Sequence, residues 1–321
     1  MKSAASRSNG KKDLAHEPDL EQRIEAWRDL LAGCARKPSR KRVHALRSTT
    51  LRLRTVLEFS LEGSKDKAAL RTFGKWKKAA KKLRTALQPV RDRDVYLARL
   101  KSLEEPSGKR SEGQPKLSVR AVKEAEKLER RLKRRRKAGA KDLADKFEAR
   151  GKKLKRLGKK IAAATGPLLA KRAGEPGEAA LQIFRGLAQE HSGLDGANMH
   201  EYRKRTKRAL YLAEISSDSK TRKLTAALKK IHEAAGEWHD WQMLAMEAAK
   251  VLGRRKHKDG LVPVLEAMAE KALKNAIELC LSTESELLPE VEDNSGLPPR
   301  KPVASERGRP NGEYLDATGS G

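Results

Sequence analysis

Two stretches of this chain are copies of one another. Residues 43–60, VHALRSTTLRLRTVLEFS, set over residues 199–216, MHEYRKRTKRALYLAEIS, pair His44 with His200, Arg47 with Arg203, Thr50 with Thr206, Arg52 with Arg208 and Glu58 with Glu214. A second marker follows in the same order. KKLRTALQPVRDRDV at 81–95 lies over KKIHEAAGEWHDWQM at 229–243, with Lys81 on Lys229, Lys82 on Lys230 and Asp92 on Asp240. Two markers in one order imply a duplicated unit, which restricts the possible folds more than any local propensity does. The offset between copies is smaller at the aspartates than at the histidines, so the intervening connection is shorter in the second copy.

The unit is helical. Leu117, Ala121, Ala125, Leu128 and Leu132, then Leu143, Phe147, Leu154 and Leu157, recur at helical steps, and no segment alternates as a strand does. Caps and breakers divide the chain further. Asp19 with Gln22 opens a helix of about 19–35, and Ser39 opens one of about 39–62. A lysine-rich third helix is expected to break at Pro89 before VRDRDVYLARLKSL, and a long basic helix is expected near 116–160. Within that helix the run RRLKRRRK reads either as a localisation or DNA-binding signal or as a solvated basic face. The segment GPLLAKRAGEPG breaks the chain, and helices are expected at about 177–190, 197–216, 219–235, 238–253 and 262–281.

The expected fold is therefore all-α: about nine to ten helices in two bundles related by an approximate two-fold axis. The first repeat covers about 19–165 and the second about 175–281. Residues 1–18 read as a disordered basic arm, 105–115 as a linker, and 282–321 as a disordered tail. The acid-rich start of that tail either solubilises the chain or folds back on basic surface.

Charge sets the chemistry. The 321 residues carry 73 Lys plus Arg against 43 Asp plus Glu, a formal net charge of +30, which calls for a polyanionic partner. No apolar run is long enough to span a bilayer and the N-terminus lacks the apolar core of a signal peptide, so a soluble, cytoplasmic protein is expected and a membrane partner is not. Cys34 and Cys280 are too few for a disulfide scaffold or a four-thiolate zinc site, and read as buried or inert thiols. Aromatic residues are 4% of the chain and unclustered, which suits phosphates better than stacked bases.

At about 100° per residue, Arg40, Arg47, Leu51, Arg54 and Glu58 fall on the side of the helix that His44 occupies, while Leu46, Thr50, Leu53 and Leu57 fall opposite. His200, Arg203, Lys207 and Glu214 repeat the basic sector, and Tyr202, Thr206, Ala209 and Ala213 the apolar one. The histidines thus lie in a basic stripe that has a separate face for the core. That stripe either lines a groove or faces another helix, with Glu58 or Glu214 pairing an arginine there. Arg71, Lys75, Lys78 and Lys82 form a further stripe, with Lys223 and Lys230 matching Lys75 and Lys82. If these stripes converge, two basic troughs meet near the two-fold axis. Asp92 and Asp240 read as structural partners of basic residues.

This pattern resembles the CHAD family, named for a histidine-bearing α-helical domain. The resemblance rests on VHALRSTTLRLR and LQPVRDRDV in the first half, and on MHEYRKRTKRALYLAE and AAGEWHDWQ in the second. It departs from the family at Leu51 and Leu210, where bases are usual, and at Gln88, where Leu-Gly is expected. The resemblance implies an all-helical fold of two related bundles and a surface for inorganic polyphosphate, with an association with polyphosphate granules. The residues it nominates are His44, Arg47, Arg52, Arg54, His200, Arg203, Lys207 and Arg208. With the lysine stripes and the second marker, the candidate set extends to Lys75, Lys78, Lys82, Arg91, Lys204, Lys229 and Lys230.

Near an anion the protonated histidine is favoured, so the histidines are expected to tighten binding as pH falls below neutrality. Nucleic acid is the competing polyanion, although no recognised nucleic-acid module is present. Catalysis is not expected. His232, His239 and Asp240 are too loosely spaced to argue for a metal, and no acidic cluster for magnesium accompanies them. No cofactor is implied.

Overall fold

The computed structural model describes residues 20–288 apart from 104–115, 173–174, 191–192, 217, 220 and 254–256, and omits the side chains of 145 and 148–150. The expected arm at 1–18 and the linker at 105–115 lie outside the described residues. Those described are all-helical: α1 (Leu20–Arg36), α2 (Arg40–Ser60), α3 (Lys67–Leu103), α4 (Val119–Lys171), α5 (Glu175–Glu190), α6 (Met199–Ala213), α7 (Thr221–Leu252) and α8 (Leu261–Leu287).

Local chemistry places several of the ends. The Ser39 hydroxyl accepts from the Arg42 amide and caps α2, and Ser118 does the same for α4 through Ala121, each satisfying an otherwise orphaned N–H. Packing overrides other local signals. The break expected at Pro89 does not occur, because α3 runs through it. The ring sits on the exposed side while Leu87 and Val90 beside it are fully buried, so core contacts hold the helix across the missing N–H. Gly236 likewise interrupts nothing, since Ala235 and Trp238 anchor α7 on either side of it. Helix α4 continues through Pro167 to Lys171, and the chain resumes helix at Glu175. At the other end, α8 runs past the expected start of the tail at 282. Thr283 is buried, and the Tyr202 hydroxyl donates to Glu284 Oε1 at 2.6 Å, which holds the extra turn. Residues 289–321 lie outside the described residues.

Two hydrophobic cores result, and the long α4 belongs to both. Its C-terminal part, from Leu143 to Ala162, packs with α1, α2 and the first half of α3 around Trp27 and Trp76. Its N-terminal part, from Ala121 to Leu132, joins the end of α3 and α5 to α8 around Tyr202, Phe184 and Trp241. Leu169 and Ile215 touch both cores. Contacts of α2 with α6 and of α3 with α7 join the halves. The two helices that carry the duplicated markers thus each meet their own counterpart, the packing that an approximate two-fold produces.

The basic run in α4 is divided by this arrangement. Arg135 reaches Glu247 at 2.7 Å, and Arg136 reaches Asp94 at 2.9 Å, while Arg130, Arg131, Lys133, Arg134 and Lys137 stay exposed.

The repeat also allows a paired test of packing. Thr50 Oγ1 accepts from the buried Trp27 Nε1 at 2.9 Å, whereas Oγ1 of its counterpart Thr206 is buried without a partner among the described residues. Thr50→Val is expected to cost about 1–3 kcal/mol by stranding the indole N–H. Thr206→Val should be neutral or stabilising. Chemical denaturation of the two variants checks the contrast.

Candidate functional site

Where α2, α3, α6 and α7 meet, the fold gathers cations rather than apolar side chains. Helical spacing delivers them in pairs: Arg84 and Arg91 lie two turns apart on α3, His232 and His239 two turns apart on α7, and Arg203 and Lys207 one turn apart on α6. From α2, Arg47 donates through Nη1 to the Arg84 carbonyl at 3.2 Å. Arg91 spans the helices, its Nη1 3.2 Å from Asp92 and its Nη2 3.1 Å from Asp240. Gln88 Nε2 holds Asp92 from the other side at 2.8 Å. The His200 and His239 rings lie 5.4 Å apart.

These groups are too many and too close for the counter-charge present. Burial, and then Arg203, Arg47, Arg91 and Arg84, pull the Lys207 ammonium down to about 7. Arg47 is lowered to about 10 by burial and then by Arg84, with Asp92 opposing. Burial is also the first cause of the lowered Arg84 and Arg203. His232 and His239 fall to about 3, through burial first and then neighbouring Lys207 and Arg203 for the former and Arg203 and His200 for the latter. Only Arg91 escapes within this group, because Asp240 and Asp92 outweigh its burial. Arg84 Nε, Arg203 Nε, His232 Nδ1 and His239 Nδ1 are all buried without a hydrogen-bond partner among the described residues. Each such group costs about 1–3 kcal/mol when left unpaired. An incoming anion supplies the missing acceptors and the missing charge.

The cluster opens beside His44 into a cavity of about 630 Å³, lined by Arg40, Lys41, His44, Arg91, Arg99 and Asp240 among others. Here Asp94 is engaged by Arg136. Burial, followed by Arg91 and Lys207, lowers His44 below its ordinary value, and burial followed by Lys204 and Arg203 does the same for His200. The histidines are therefore mostly uncharged in the empty site near neutrality. Lys207, at about 7, is the group that titrates near neutrality there.

Of the candidate residues, the structure brings together His44, Arg47, Arg91, His200, Arg203 and Lys207. Arg52 is held by Glu214 through two hydrogen bonds of 2.7 and 3.0 Å, and Arg54 by Glu58 at 3.0 Å. The Arg52 pair is the facing-helix arrangement, whereas the Arg54 pair lies one turn apart within α2. Lys204 pairs with Glu201 at 3.1 Å. Arg208, Lys229 and Lys230 are exposed. Lys75, Lys78 and Lys82 line a different groove, against α4. The departures at Leu51 and Leu210 are explained by packing, since Leu210 is buried and Leu51 rests against the second core.

Three members of the cluster, Arg84, His232 and His239, were absent from the candidate set. Their signal lay in the second marker read column by column: Arg84 stands over His232, and Arg91 over His239. The first copy supplies arginines where the second supplies histidines, and Lys207 stands over Leu51, so the site is built from equivalent positions with unlike residues.

The fold and the site together define an all-helical protein with a cation-rich junction between two related bundles. The sequence profile of the CHAD domain matches residues 19–249, and the chain belongs to the CHAD family. Among solved structures, PptA from Streptomyces chartreusis superposes with a TM-score of 0.56 at 16% identity, covering 82% of this chain and 97% of that one. The CHAD domain from the plant Ricinus communis superposes with a TM-score of 0.52 at 19% identity, covering 84% of this chain and 85% of that one. At these identities the likeness establishes the fold. A comparison with curated proteins returns no match. No helix among the described residues is long and apolar enough to cross a membrane.

Proposed function

We propose that this chain binds inorganic polyphosphate between α2, α3, α6 and α7, and holds it there without turning it over, in keeping with a family associated with polyphosphate. The observation that carries this is Lys207, a half-buried cation drawn down to about 7 by desolvation and by four arginines acting on it and with no ion pair among the described residues. Such a group is stabilised by an anion entering beside it. A linear phosphate chain brings repeated charge and no bases. Its affinity comes from forked arginine contacts and from counterion release rather than from edge readout. The aromatic ring beside the cluster, Tyr211, is already engaged by Arg52 at 4.8 Å and Lys207 at 5.7 Å, which leaves little platform for a stacked base. A place at polyphosphate granules follows from this binding.

Nucleic acid is the second reading, favoured by the exposed cations of α4. Competition separates the two. Long-chain polyphosphate is expected to displace the protein from RNA at far lower phosphate concentration than RNA displaces it from polyphosphate, at fixed ionic strength. The reverse ranking overturns the proposal. In the same incubation with divalent metal, the length of the polyphosphate is expected to stay unchanged.

A further inference from the structure

A second basic surface lies away from this site. Lys75, Lys78 and Lys82 of α3 face Lys153, Arg156 and Lys160 of α4 across a groove of about 690 Å³. Each triplet has the spacing i, i+3, i+7, so both walls carry a cation stripe about 10 Å long. Thr72, Ala79, Leu154 and Leu157 complete the lining, which contains no carboxylate and no aromatic ring.

A solvated charged face looks different in this protein. Elsewhere on α4, acids one turn away interleave the cations: Lys133 with Glu129 at 2.8 Å, Arg130 with Glu126 at 3.7 Å and Lys146 with Asp142 at 2.6 Å. Among the described residues none of the six groove cations makes an ion pair. Like charges on two facing walls repel, and an anion between them removes the repulsion.

We infer that the groove between α3 and α4 is a second binding site for a linear phosphate chain, separate from the junction site. Five of its six cations are lysines, mobile point charges that adapt to any phosphate geometry. Its aliphatic floor offers no ring on which bases stack, and its concave form suits a strand rather than a flat lipid surface. Helix α3 keeps the sites apart. At about 100° per residue, Arg84 and Arg91 point roughly 120–180° away from Lys75, Lys78 and Lys82. One molecule then grips two phosphate segments on opposite sides of α3, and long chains become cross-linked through the protein. The inference rests on the proposed function only for the ligand it names.

The test counts bound tripolyphosphate at fixed, near-physiological ionic strength by calorimetry and native mass spectrometry. Unmodified protein is expected to take two, Lys78→Glu with Arg156→Glu one, and Arg203→Met one at full affinity. Lys75→Gln with Lys160→Gln should weaken the same event about tenfold, and this milder pair serves if charge reversal disturbs helix packing. Two tripolyphosphates retained by both groove variants, or a single one lost only on Arg203→Met, overturns the inference. A single one lost only in the groove variants supports it and removes the junction proposal instead. If the groove variants release a uridine oligonucleotide while tripolyphosphate occupancy is unchanged, the groove is a nucleic-acid site and the inference fails.

Discussion

Arg203→Met is expected to make the protein more stable and a poorer ligand binder at once. The guanidinium is half-buried with an unpartnered Nε, and burial heads the causes that lower it. Removing an inadequately paired charge in favour of an apolar chain of similar length is expected to add about 1–2 kcal/mol. Loss of a charge-assisted contact to phosphate is worth about 1.5–3 kcal/mol, or roughly tenfold to a hundredfold in affinity. Arg52→Met makes the control. That side chain is engaged by Glu214, so its loss should lower stability and change affinity little. Thermal melts alongside polyphosphate titrations read both quantities. A fall in melting temperature for Arg203→Met, with affinity unchanged, identifies the arginine as a packing element and sinks its role in binding.

Binding is expected to weaken as pH rises from about 7 to 9, with a slope approaching tenfold per unit at fixed ionic strength. In the empty site Lys207 lies at about 7, so above that pH it has lost its proton. Phosphate beside it raises the pKa toward that of an ordinary lysine, and binding in this window therefore takes up a proton. Uptake means tighter binding at lower pH, levelling off once the empty site is already protonated below about 7. The groups facing Lys207 are Arg203 and the Tyr211 ring on its own helix, Arg47 and His44 on α2, Arg84 and Arg91 on α3, and His232 and His239 on α7. His44 and His200, lowered from the ordinary histidine value, add a further rise only at more acidic pH. Lys207→Arg should bind with the slope removed, because arginine stays charged throughout. Equal slopes for the parent and Lys207→Arg would assign the pH dependence to another group.

These two results depend on features that differ in how far the sequence exposed them. The duplicated markers were sufficient to find Arg47, Arg203 and the paired aspartates, because helical periodicity puts them on one face whatever surrounds it. Arg54 is held by Glu58 one turn along α2, a pair that spacing alone allows, but Arg52, a neighbouring position of the same motif, is held by Glu214 at the end of α6. No spacing rule predicts which cation meets a carboxylate from 162 residues away. Pro89 and Gly236 misled for a related reason. Breakers report a local cost of about 1–3 kcal/mol, and burial of Leu87, Val90, Ala235 and Trp238 exceeds it. Lys75, Lys78 and Lys82 line one groove while Arg71, the fourth member of their stripe, lies outside its lining, and a stripe does not say which helix will lie opposite it.

From the order of its residues alone, this protein is all-helical, duplicated, strongly cationic and built with basic stripes set apart from its core. Those properties follow from periodicity, repetition and net charge, which are summed along the chain and need no partner helix. Only the tertiary structure decided that α4 would serve two cores, that the stripes would divide between two separate grooves, and that Lys207 would be left among arginines with no carboxylate paired to it among the described residues. Desolvation and Coulomb interaction depend on distances between residues remote in sequence, and those distances exist only once the helices have packed.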